Sequence, residues 1–374
     1  MSAHTLYIGL MSGTSMDGVD AVLASFDSQG KPQVIERSEA PFSSALRDEF
    51  LALNRSGTDE LARSALAANA LAETYASAVA QLLTRTNLPA SRVNAIGAHG
   101  QTVRHQPAQG YTIQLNAPAY LAELTGITVI ADFRSRDVAA GGQGAPLVPM
   151  FHTGVFASTQ TRAILNLGGI ANVTVLEPGK DPIGFDTGPA NVLMDLWCEM
   201  HTGAPYDQHG AWGATGEIHS ELLEHLLHSE PWFAREAPKS TGRDLFHRNW
   251  LESRIDYVQS RHPEKPAIPP QDIQATLRAL TAKSAAQAIK KYAALAADVL
   301  VCGGGARNAA LMAELQQQLP CPVNPTDTAG IGTQDVEALA FAWLAWAHQQ
   351  GIAVGNPNVT GARGARILGA TWPA

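Results

Sequence analysis

The chain has 374 residues, enough for about two domains of typical size, and 45% of them are hydrophobic while only 16% are charged. A net charge of −8 without long runs of one sign argues against nucleic-acid binding. No stretch reaches the roughly 18 apolar residues of a membrane span and no signal peptide is evident, so we expect a cytoplasmic protein without a membrane partner. The three scattered cysteines, Cys198, Cys302 and Cys321, predict reduced thiols rather than disulfides or a metal site.

The first half of the chain opens with three strands and continues with helices and strands in alternation. The strand-like runs are Thr5 to Leu10, Val19 to Phe26, Val34 to Arg37, Val93 to Ala98, Thr112 to Leu115 and Thr128 to Asp132. The helical patterns are Ser44 to Leu53, Thr58 to Leu83 and Ala117 to Leu124.

A similar order begins again after the glycine-rich passage 138–149. The predicted strands are Ala163 to Leu167, Asn172 to Leu176, Ile183 to Asp186 and Asp298 to Cys302. The predicted helices are Asn191 to Thr202, Thr215 to Ser229, Ile273 to Leu295, Asn308 to Gln318 and Thr333 to Gln350. The repetition predicts a duplicated α/β architecture.

A glycine- and serine-rich loop, 11–18, joins the first two predicted strands. Its small residues allow backbone N–H groups to approach an anion such as phosphate. The spacing of Gly13 and Gly18 superficially resembles a Walker A loop, but Val19-Asp20 stands in place of Lys-Ser/Thr and a strand follows. An ordinary hairpin loop is the alternative.

Two further glycine loops favour the phosphate interpretation. Gly168-Gly169 connects two predicted strands, and Gly303-Gly304-Gly305 leads from a strand into a helix whose N-terminus can receive a phosphate. Three such loops are difficult to attribute to chance.

Motifs spread over nearly the whole chain carry a specific family resemblance. They are Gly9-Leu10-Met11-Ser12-Gly13-Thr14-Ser15-Met16-Asp17-Gly18, Ala98-His99-Gly100-Gln101-Thr102, Ala131-Asp132-Phe133-Arg134-Ser135-Arg136-Asp137, Gly141-Gly142-Gln143-Gly144-Ala145-Pro146-Leu147 and Gly184-Phe185-Asp186-Thr187-Gly188-Pro189. In these motifs the chain resembles the anhydro-N-acetylmuramic acid kinases, within the superfamily of acetate and sugar kinases, heat-shock chaperones and actin. The resemblance implies an α/β, duplicated actin-like ATPase (ribonuclease H-like) fold with two domains and an interdomain nucleotide cleft. We expect the first domain at 1–132 plus about 352–374, and the second at 133–351.

The resemblance also implies ATP and Mg²⁺ as cofactors. The residues that it assigns to the nucleotide are Ser12, Gly13, Thr14, Ser15, Met16, Asp17, Gly18, Val19, Gly168, Gly169, Gly303, Gly304 and Gly305. The superfamily usually begins its first phosphate loop with a metal-holding Asp, whereas Met11-Ser12 stands here. The metal ligands are therefore unknown, with Asp17 or Asp20 able to contribute through water.

The resemblance makes Asp186 the general base of an unusual reaction. Water would add to the anomeric carbon of 1,6-anhydro-N-acetylmuramic acid, opening the anhydro bridge, while the freed 6-oxygen accepts the γ-phosphoryl group of ATP. Asp186 ends a predicted strand just before Thr187-Gly188-Pro189, a turn that would expose its carboxylate. An Asx-turn without a catalytic role is the alternative.

Candidate substrate-binding residues follow other predicted strands or begin the last helix. They are His99, Gln101, Thr102, Asp132, Arg134 and Glu337. Because Asp132, Arg134 and Arg136 alternate along one extended segment, their side chains would share a face, where an Arg suits the lactyl carboxylate of muramic acid. Each candidate also has a structural alternative. His99 could be a structural histidine, Asp132 could form an ion-pair network with the arginines, and Glu337 could be present because the helix dipole favours a carboxylate at the start of a helix.

Two other polar segments carry weaker signals. His219, His225 and His228 with Glu221 and Glu224 match neither HExxH nor HxxEH, which favours a polar helix face over a zinc site. The segment Lys239 to Asp244 resembles a family segment and could meet phosphate or be a solvated loop.

The leading hypothesis is thus an ATP-dependent amino-sugar kinase of cell-wall recycling, with a homodimer expected from the family. A simple sugar or carboxylate kinase of the same fold, or a nucleotide-switched interaction protein, remains as the alternative.

Overall fold

The structure, a computed structural model, describes residues 5–13 and 16–374. Its strands are β1 Thr5–Met11, β2 Gly18–Phe26, β3 Pro32–Pro41, β4 Val93–Ala98, β5 Gln101–Gln106, β6 Tyr111–Leu115, β7 Val129–Ala131, β8 Arg162–Leu167, β9 Ile170–Leu176, β10 Ile183–Pro189, β11 Asp298–Cys302, β12 Val323–Pro325 and β13 Ala370–Trp372. Its helices are α1 Ser44–Leu53, α2 Glu60–Thr86, α3 Pro118–Thr125, α4 Ser135–Ala139, α5 Pro149–Phe156, α6 Asn191–Thr202, α7 Ser220–His228, α8 Arg248–Ser260, α9 Pro270–Tyr292, α10 Ala309–Gln318, α11 Val336–Gln349 and α12 Pro357–Thr360. Within the described ranges, no helix combines the length and hydropathy that a membrane span requires.

The chain divides into two compact units. Unit 1 takes the described residues up to Phe156 together with Gln334–Ala374, and unit 2 is Ala157–Thr333. This division differs from the expected boundaries at 132/133 and about 351/352, because 133–156 and 334–351 group with unit 1. The reason is packing: α11 lies directly on the unit 1 sheet, where a Cβ on Gly9 would stand 1.8 Å from the Ala338 carbonyl oxygen, and Phe151 of α5 lies against Trp343 of α11, with ring centroids 6.2 Å apart.

The two units repeat one sheet topology. Unit 1 has the strand order β3-β2-β1-β4-β7, extended by β13 at the β7 edge, and unit 2 has the order β10-β9-β8-β11-β12. In each, the first three strands along the chain form an antiparallel meander, and the first strand pairs in parallel with the fourth. In each, the fourth strand also pairs in parallel with one further strand, β7 in unit 1 and β12 in unit 2. This repeat confirms the predicted duplicated α/β fold.

The central strands were recognisable because both of their faces are buried. In β8 every residue from Ala163 to Leu167 is buried, and all of them except Asn166 are apolar, so the strand shows no alternation of polar and apolar residues. In unit 1, helix α11 lies so close to the sheet that only glycine fits beneath it. A Cβ on Gly9 would stand 1.8 Å from the Ala338 carbonyl oxygen, and one on Gly97 would stand 2.0 Å from that of Phe341.

Several elements depart from the sequence prediction. The predicted helix 215–229 is a one-turn 3₁₀ helix, Gly213–Thr215, followed by α7. At Gly216 the chain passes so close to the Gln271 carbonyl oxygen that a Cβ would stand 2.1 Å from it, and the predicted helix is interrupted here. Helix α7 then begins with His219 as its cap, whose ring accepts a hydrogen bond from the Leu222 amide. The elements β5, α4, α5, α8, β12, α12 and β13 were not predicted.

Candidate active site

The first glycine loop is anchored at its start by buried hydrogen bonds. Ser12 is 1% exposed, and its hydroxyl donates to the Gly100 carbonyl at 2.9 Å. The Tyr75 hydroxyl, from the buried face of α2, lies 3.3 Å from Ser12 Oγ and accepts the Gly100 N–H at 3.0 Å. Because these groups satisfy one another, the end of β1 is fixed to the β4–β5 junction.

The loop itself is shorter than predicted. Gly18 and Val19 lie inside β2, paired with Pro41 and Ala40 of β3. Met16 has a left-handed backbone (φ 56°) and a buried side chain. The predictions for Thr14 and Ser15 lie outside the described residues.

His99 links the loop to Arg134. The ring Nδ1 lies 3.2 Å from the Ser12 carbonyl, and Nε2 accepts from Nε and Nη2 of Arg134 at 3.2 and 2.9 Å. Nη1 of Arg134 donates to the Gly144 carbonyl at 2.7 Å. Burial, together with the positive charge of Arg134, lowers the pKa of His99 to about 3, so the ring is neutral and Nδ1 carries its proton.

The other predicted substrate residues of unit 1 have different settings. Gln101 donates to the Gly13 carbonyl at 3.3 Å, so it joins the group formed by Ser12, His99 and Arg134. Thr102 accepts a hydrogen bond from Gln114 in the β5–β6 hairpin. The extended segment predicted for 132–136 is wrong, because β7 ends at Ala131, Asp132 has a left-handed backbone (φ 59°), and α4 begins at Ser135. The face shared by Asp132, Arg134 and Arg136 therefore does not exist.

Acidic side chains gather where β2 passes the start of α11. Asp20 keeps part of its side chain accessible, yet burial of the carboxyl raises its pKa to about 7, with further contributions from Asp17, Glu39 and Glu337. Glu337, in the first turn of α11, thus lies close enough to Asp20 to interact electrostatically. Over residues 5–13 and 16–374, no group of three or more His, Cys, Asp or Glu side chains has a metal-binding arrangement.

In unit 2 the Gly168-Gly169 turn between β8 and β9 faces the start of α6. The Gly169 carbonyl accepts from the amides of Ala190 and Val192, and the Gly168 carbonyl accepts from that of Asn191, all at 3.0 Å. The N–H of a trans peptide points opposite to its carbonyl. The amides of Gly169 and Ile170 therefore point away from α6, an orientation suited to an anion.

The third glycine loop packs against the same strand end. A Cβ on Gly303 would stand 2.4 Å from Asn166 Oδ1, and one on Gly305 would stand 2.6 Å from Leu167 Cβ. Close packing thus explains the glycines at 303 and 305, while Gly304 is exposed. The loop continues into the 3₁₀ turn Gly304–Arg307 and, after the Asn308 cap, into α10.

Asp186 lies in strand β10 rather than before a turn, because the strand continues to Pro189. The register with β9 shifts between Asp186 and Gly188, and such a bulge redirects side chains. Oδ2 accepts the Thr241 N–H at 2.8 Å, so the carboxylate is held by a segment 55 residues further along the chain. Asp186 is opposite Asn172, three residues from Gly169, which places it about 10 Å along the sheet from the glycine turn.

The histidines of α7 have local roles. The His225 ring stacks on Tyr257 at 4.3 Å, and His228 lies 3.3 Å from Glu224 on the same helix. Glu221 pairs with His262 at 2.9 Å.

With this geometry in view, comparison with known proteins identifies the family. The family model described as anhydro-N-acetylmuramic acid kinase matches residues 5–374. The chain belongs to the anhydro-N-acetylmuramic acid kinase family. It is 62% identical over 369 residues to the protein of that name from Bordetella pertussis, covering 99% of this chain and 96% of the relative. It is 52% identical over 395 residues to that of Albidiferax ferrireducens, covering 99% of each chain.

A solved structure, the activator of 2-hydroxyisocaproyl-CoA dehydratase from Clostridium difficile with bound ADPNP, is similar with a TM-score of 0.48 and 14% identity. It covers 93% of this chain and 96% of that one.

Family membership confirms the resemblance stated from the sequence motifs and the kinase class that it implied. It decides against the alternative of a nucleotide-switched interaction protein. Sequence reasoning missed Tyr75 as a partner of the first loop. A tyrosine on the apolar face of a long helix is typical of a core residue, and no sequence signal distinguishes the two cases.

Proposed function

We propose that this chain is an ATP-dependent kinase that opens the 1,6-anhydro ring of 1,6-anhydro-N-acetylmuramic acid with water and phosphorylates the 6-oxygen. The products are N-acetylmuramic acid 6-phosphate and ADP, which gives the enzyme a place in peptidoglycan recycling. The observation that carries this proposal is the family match across residues 5–374. The water oxygen bonds to the anomeric carbon as the bond between that carbon and the 6-oxygen breaks, and the water proton goes to a general base. The 6-oxygen bonds to the γ-phosphorus of ATP as the bond from that phosphorus to the β,γ-bridging oxygen breaks, which releases ADP.

Asp186 is proposed as the general base that receives the water proton. The geometry of Asp186 supports this role. The Thr241 amide holds one carboxylate oxygen, and because the carboxylate is rigid and planar this also sets the direction of the other oxygen. Its side chain is partly exposed, so a water molecule can reach it. Its separation from the Gly168-Gly169 turn, about 10 Å along the sheet, leaves room for a sugar and a phosphate.

The glycine loops are proposed to hold the nucleotide. The amides of Gly169 and Ile170, which point away from α6, would donate to phosphate oxygens, and the exposed Gly304 turn would receive another part of ATP. The loop that begins at Ser12 and Gly13 would contribute in the same manner from unit 1.

The acidic side chains near β2 fit the way that Mg²⁺ binds in nucleotide enzymes, with one or two carboxylates, several waters and substrate phosphates. Asp17 and Asp20 would hold the ion through water. Burial is the main cause of the raised pKa of Asp20, and the neighbouring carboxylates raise it further, so a cation here would offset part of that negative charge. When bound, Mg²⁺ neutralises charge on the transferring phosphates.

For the amino sugar, the group formed by His99, Gln101 and Arg134 is the strongest candidate. The neutral His99 ring orients the Arg134 guanidinium, whose positive charge suits the lactyl carboxylate. Thr102, Asp132 and Glu337 stay predictions, as do a cytoplasmic location and a homodimer.

The reaction is tested by product mass after incubation with ATP, magnesium and the anhydro sugar in ¹⁸O-labelled water. We expect a gain of one phosphate plus one water, with the label at the anomeric carbon. A gain of phosphate alone would instead indicate the simple sugar kinase.

Asp186→Asn tests the base. We expect it to abolish product formation while ATP binding, measured by calorimetry, stays within about twofold, because the amide keeps the shape but cannot accept the proton. Asp181→Asn, an exposed aspartate just before β10, is the control and retains turnover. Near-normal turnover of Asp186→Asn would reject the base assignment.

A further inference from the structure

A short segment of unit 2 holds Asp186 by two hydrogen bonds. We define residues Lys239, Ser240 and Thr241 as the Asp186 strap. The Asp186 N–H donates to the Lys239 carbonyl at 3.0 Å, and the Thr241 N–H donates to Asp186 Oδ2 at 2.8 Å. The strap thus contacts the backbone and the carboxylate of the same residue, which fixes the direction of the side chain.

The strap is in turn held by a buried indole. Trp232 is 3% exposed, and its Nε1–H donates to the Ser240 carbonyl at 2.9 Å, between the two residues that contact Asp186. The Lys239 ammonium lies 4.4 Å from the centroid of the same indole and donates to the Phe233 carbonyl at 3.0 Å. The indole is itself fixed by an edge-to-face contact with Phe246, with centroids 5.8 Å apart.

We propose that Trp232 is a positioning residue for Asp186, acting through the indole N–H, the Ser240 carbonyl and the Thr241 amide. This inference rests on the proposed role of Asp186 as general base. Trp232 holds the strap in register with β10 and contacts no reacting atom.

Loss of the indole N–H has two consequences for the base. The strap loses the bond that fixes Ser240, so the Thr241 amide no longer lies reliably on Oδ2, and the other carboxylate oxygen loses its defined direction toward water. A backbone donor also favours the ionised carboxylate. When the donor is lost, a higher pH is needed to ionise the base, and the acid limb of the rate profile moves upward.

The charged groups around the strap are unchanged by this loss. They include Lys239 on the strap, Arg235 and Glu236 before it, Arg243 and Asp244 after it, and Lys291 on α9, which interacts electrostatically with Lys239. A shift of the profile therefore reports the hydrogen bond instead of a removed charge.

The chain offers a matched pair of substitutions. Trp232→Phe keeps an aromatic ring under Lys239 but removes the donor to Ser240. Trp197→Phe makes the same chemical change elsewhere in unit 2, where Nε1–H donates to the Pro270 carbonyl at 2.8 Å from a side chain that is 6% exposed. Both variants are measured for melting temperature, kcat, KM for ATP and for the anhydro sugar, and kcat from about pH 5 to 9.

We expect both variants to melt at lower temperature by similar amounts. Trp232→Phe alone lowers kcat about tenfold, with KM for ATP within about twofold, and moves the acid limb upward by about half a pH unit. Trp197→Phe retains wild-type kinetics. If Trp232→Phe does not fold, 3-benzothienylalanine at position 232 replaces the indole N–H by sulfur with the ring shape kept, and the same kinetic changes are expected.

The outcomes separate this inference from the proposed function. If Asp186→Asn is inactive and the two tryptophan variants have the same kcat and pH profile, the positioning role of Trp232 is rejected while the base assignment stands. If Asp186→Asn retains turnover, the base assignment fails and the positioning role fails with it.

Discussion

His99 is a buried residue that contacts both the first glycine loop and the positively charged guanidinium of Arg134. Its ring is 5% exposed, packs against Phe341 with centroids 4.7 Å apart, and has both nitrogens engaged by Ser12 and Arg134. A protonated ring would lose the acceptor for Arg134 and place two positive charges together. The neutral form is therefore required by the neighbours as well as by burial.

This requirement predicts a pH-dependent stability. The pKa of His99 is lowered from 6.5 to about 3 in the folded chain. Between these pH values the His99 ring is protonated in the unfolded chain and neutral in the folded chain. The stability that His99 contributes is thus present above about pH 6.5 and is lost as pH falls toward 3. Between about pH 6 and 4.5, we expect the free energy of unfolding of wild type to fall about 1 kcal/mol per pH unit more steeply than that of His99→Gln.

The measurement is urea unfolding at a series of pH values. His228→Gln, at an exposed histidine, serves as control and retains the wild-type dependence. Parallel curves for wild type and His99→Gln would contradict the neutral buried ring.

At the scale of elements, the contact of α11 with the unit 1 sheet depends on glycine. Gly97 lies on β4 directly beneath the helix, where the Phe341 carbonyl leaves no room for a side chain. We expect Gly97→Ala to lower the free energy of unfolding by about 3 kcal/mol, because backbone must shift to accept the methyl group.

Gly154→Ala is the matched control for this substitution. It lies on an exposed face of α5, where the nearest atom to a new Cβ is Trp343 Nε1 at 3.9 Å. Alanine there is expected to raise stability by about 0.5 kcal/mol, since it restricts the unfolded chain. Equal effects of the two substitutions, measured by chemical denaturation, would show that α11 does not pack this closely.

The same elements explain what the sequence could predict. Strands β1, β2, β8 and β9 were found because they are largely buried and form mainly apolar runs, and the glycine loops were found because they interrupt those runs. Strand β3 alternates between exposed and more buried residues, and only Val34 to Arg37 of it was predicted. Strand β13 was missed, since its three residues form a strand only by pairing with β7, more than two hundred residues earlier. The position of Asp186 within β10 was missed as well, because the bulge and the Thr241 bond are set by a distant segment.

At the scale of the whole molecule, the two units differ in how the chain builds them. Unit 2 is a continuous segment, Ala157–Thr333, and its large apolar core draws only on residues within that range. Unit 1 is discontinuous, because α11 and β13 return from the end of the chain to cover and extend its sheet. The boundaries expected from the sequence returned 352–374, and therefore β13, to the first domain but left α11 in the second, since proximity along the chain says nothing about which sheet a helix covers.

Because unit 2 is one continuous segment and unit 1 is not, we predict that 157–333 folds as an isolated fragment and that the segment ending at 156 does not. A fragment of residues 157–333 retains its whole sheet and core, so we expect it to fold alone and to unfold cooperatively in urea, followed by far-ultraviolet circular dichroism and tryptophan fluorescence. A fragment that ends at residue 156 lacks α11, so the face of the sheet at Gly9 and Gly97 is exposed to solvent. We expect this fragment to aggregate or remain unfolded. Adding residues 334–374 back through a flexible linker is expected to restore its folding. If the fragment ending at 156 instead folds as well as 157–333 does, α11 is not required for the unit 1 core, and the close helix contact at the two glycines contributes little to its stability.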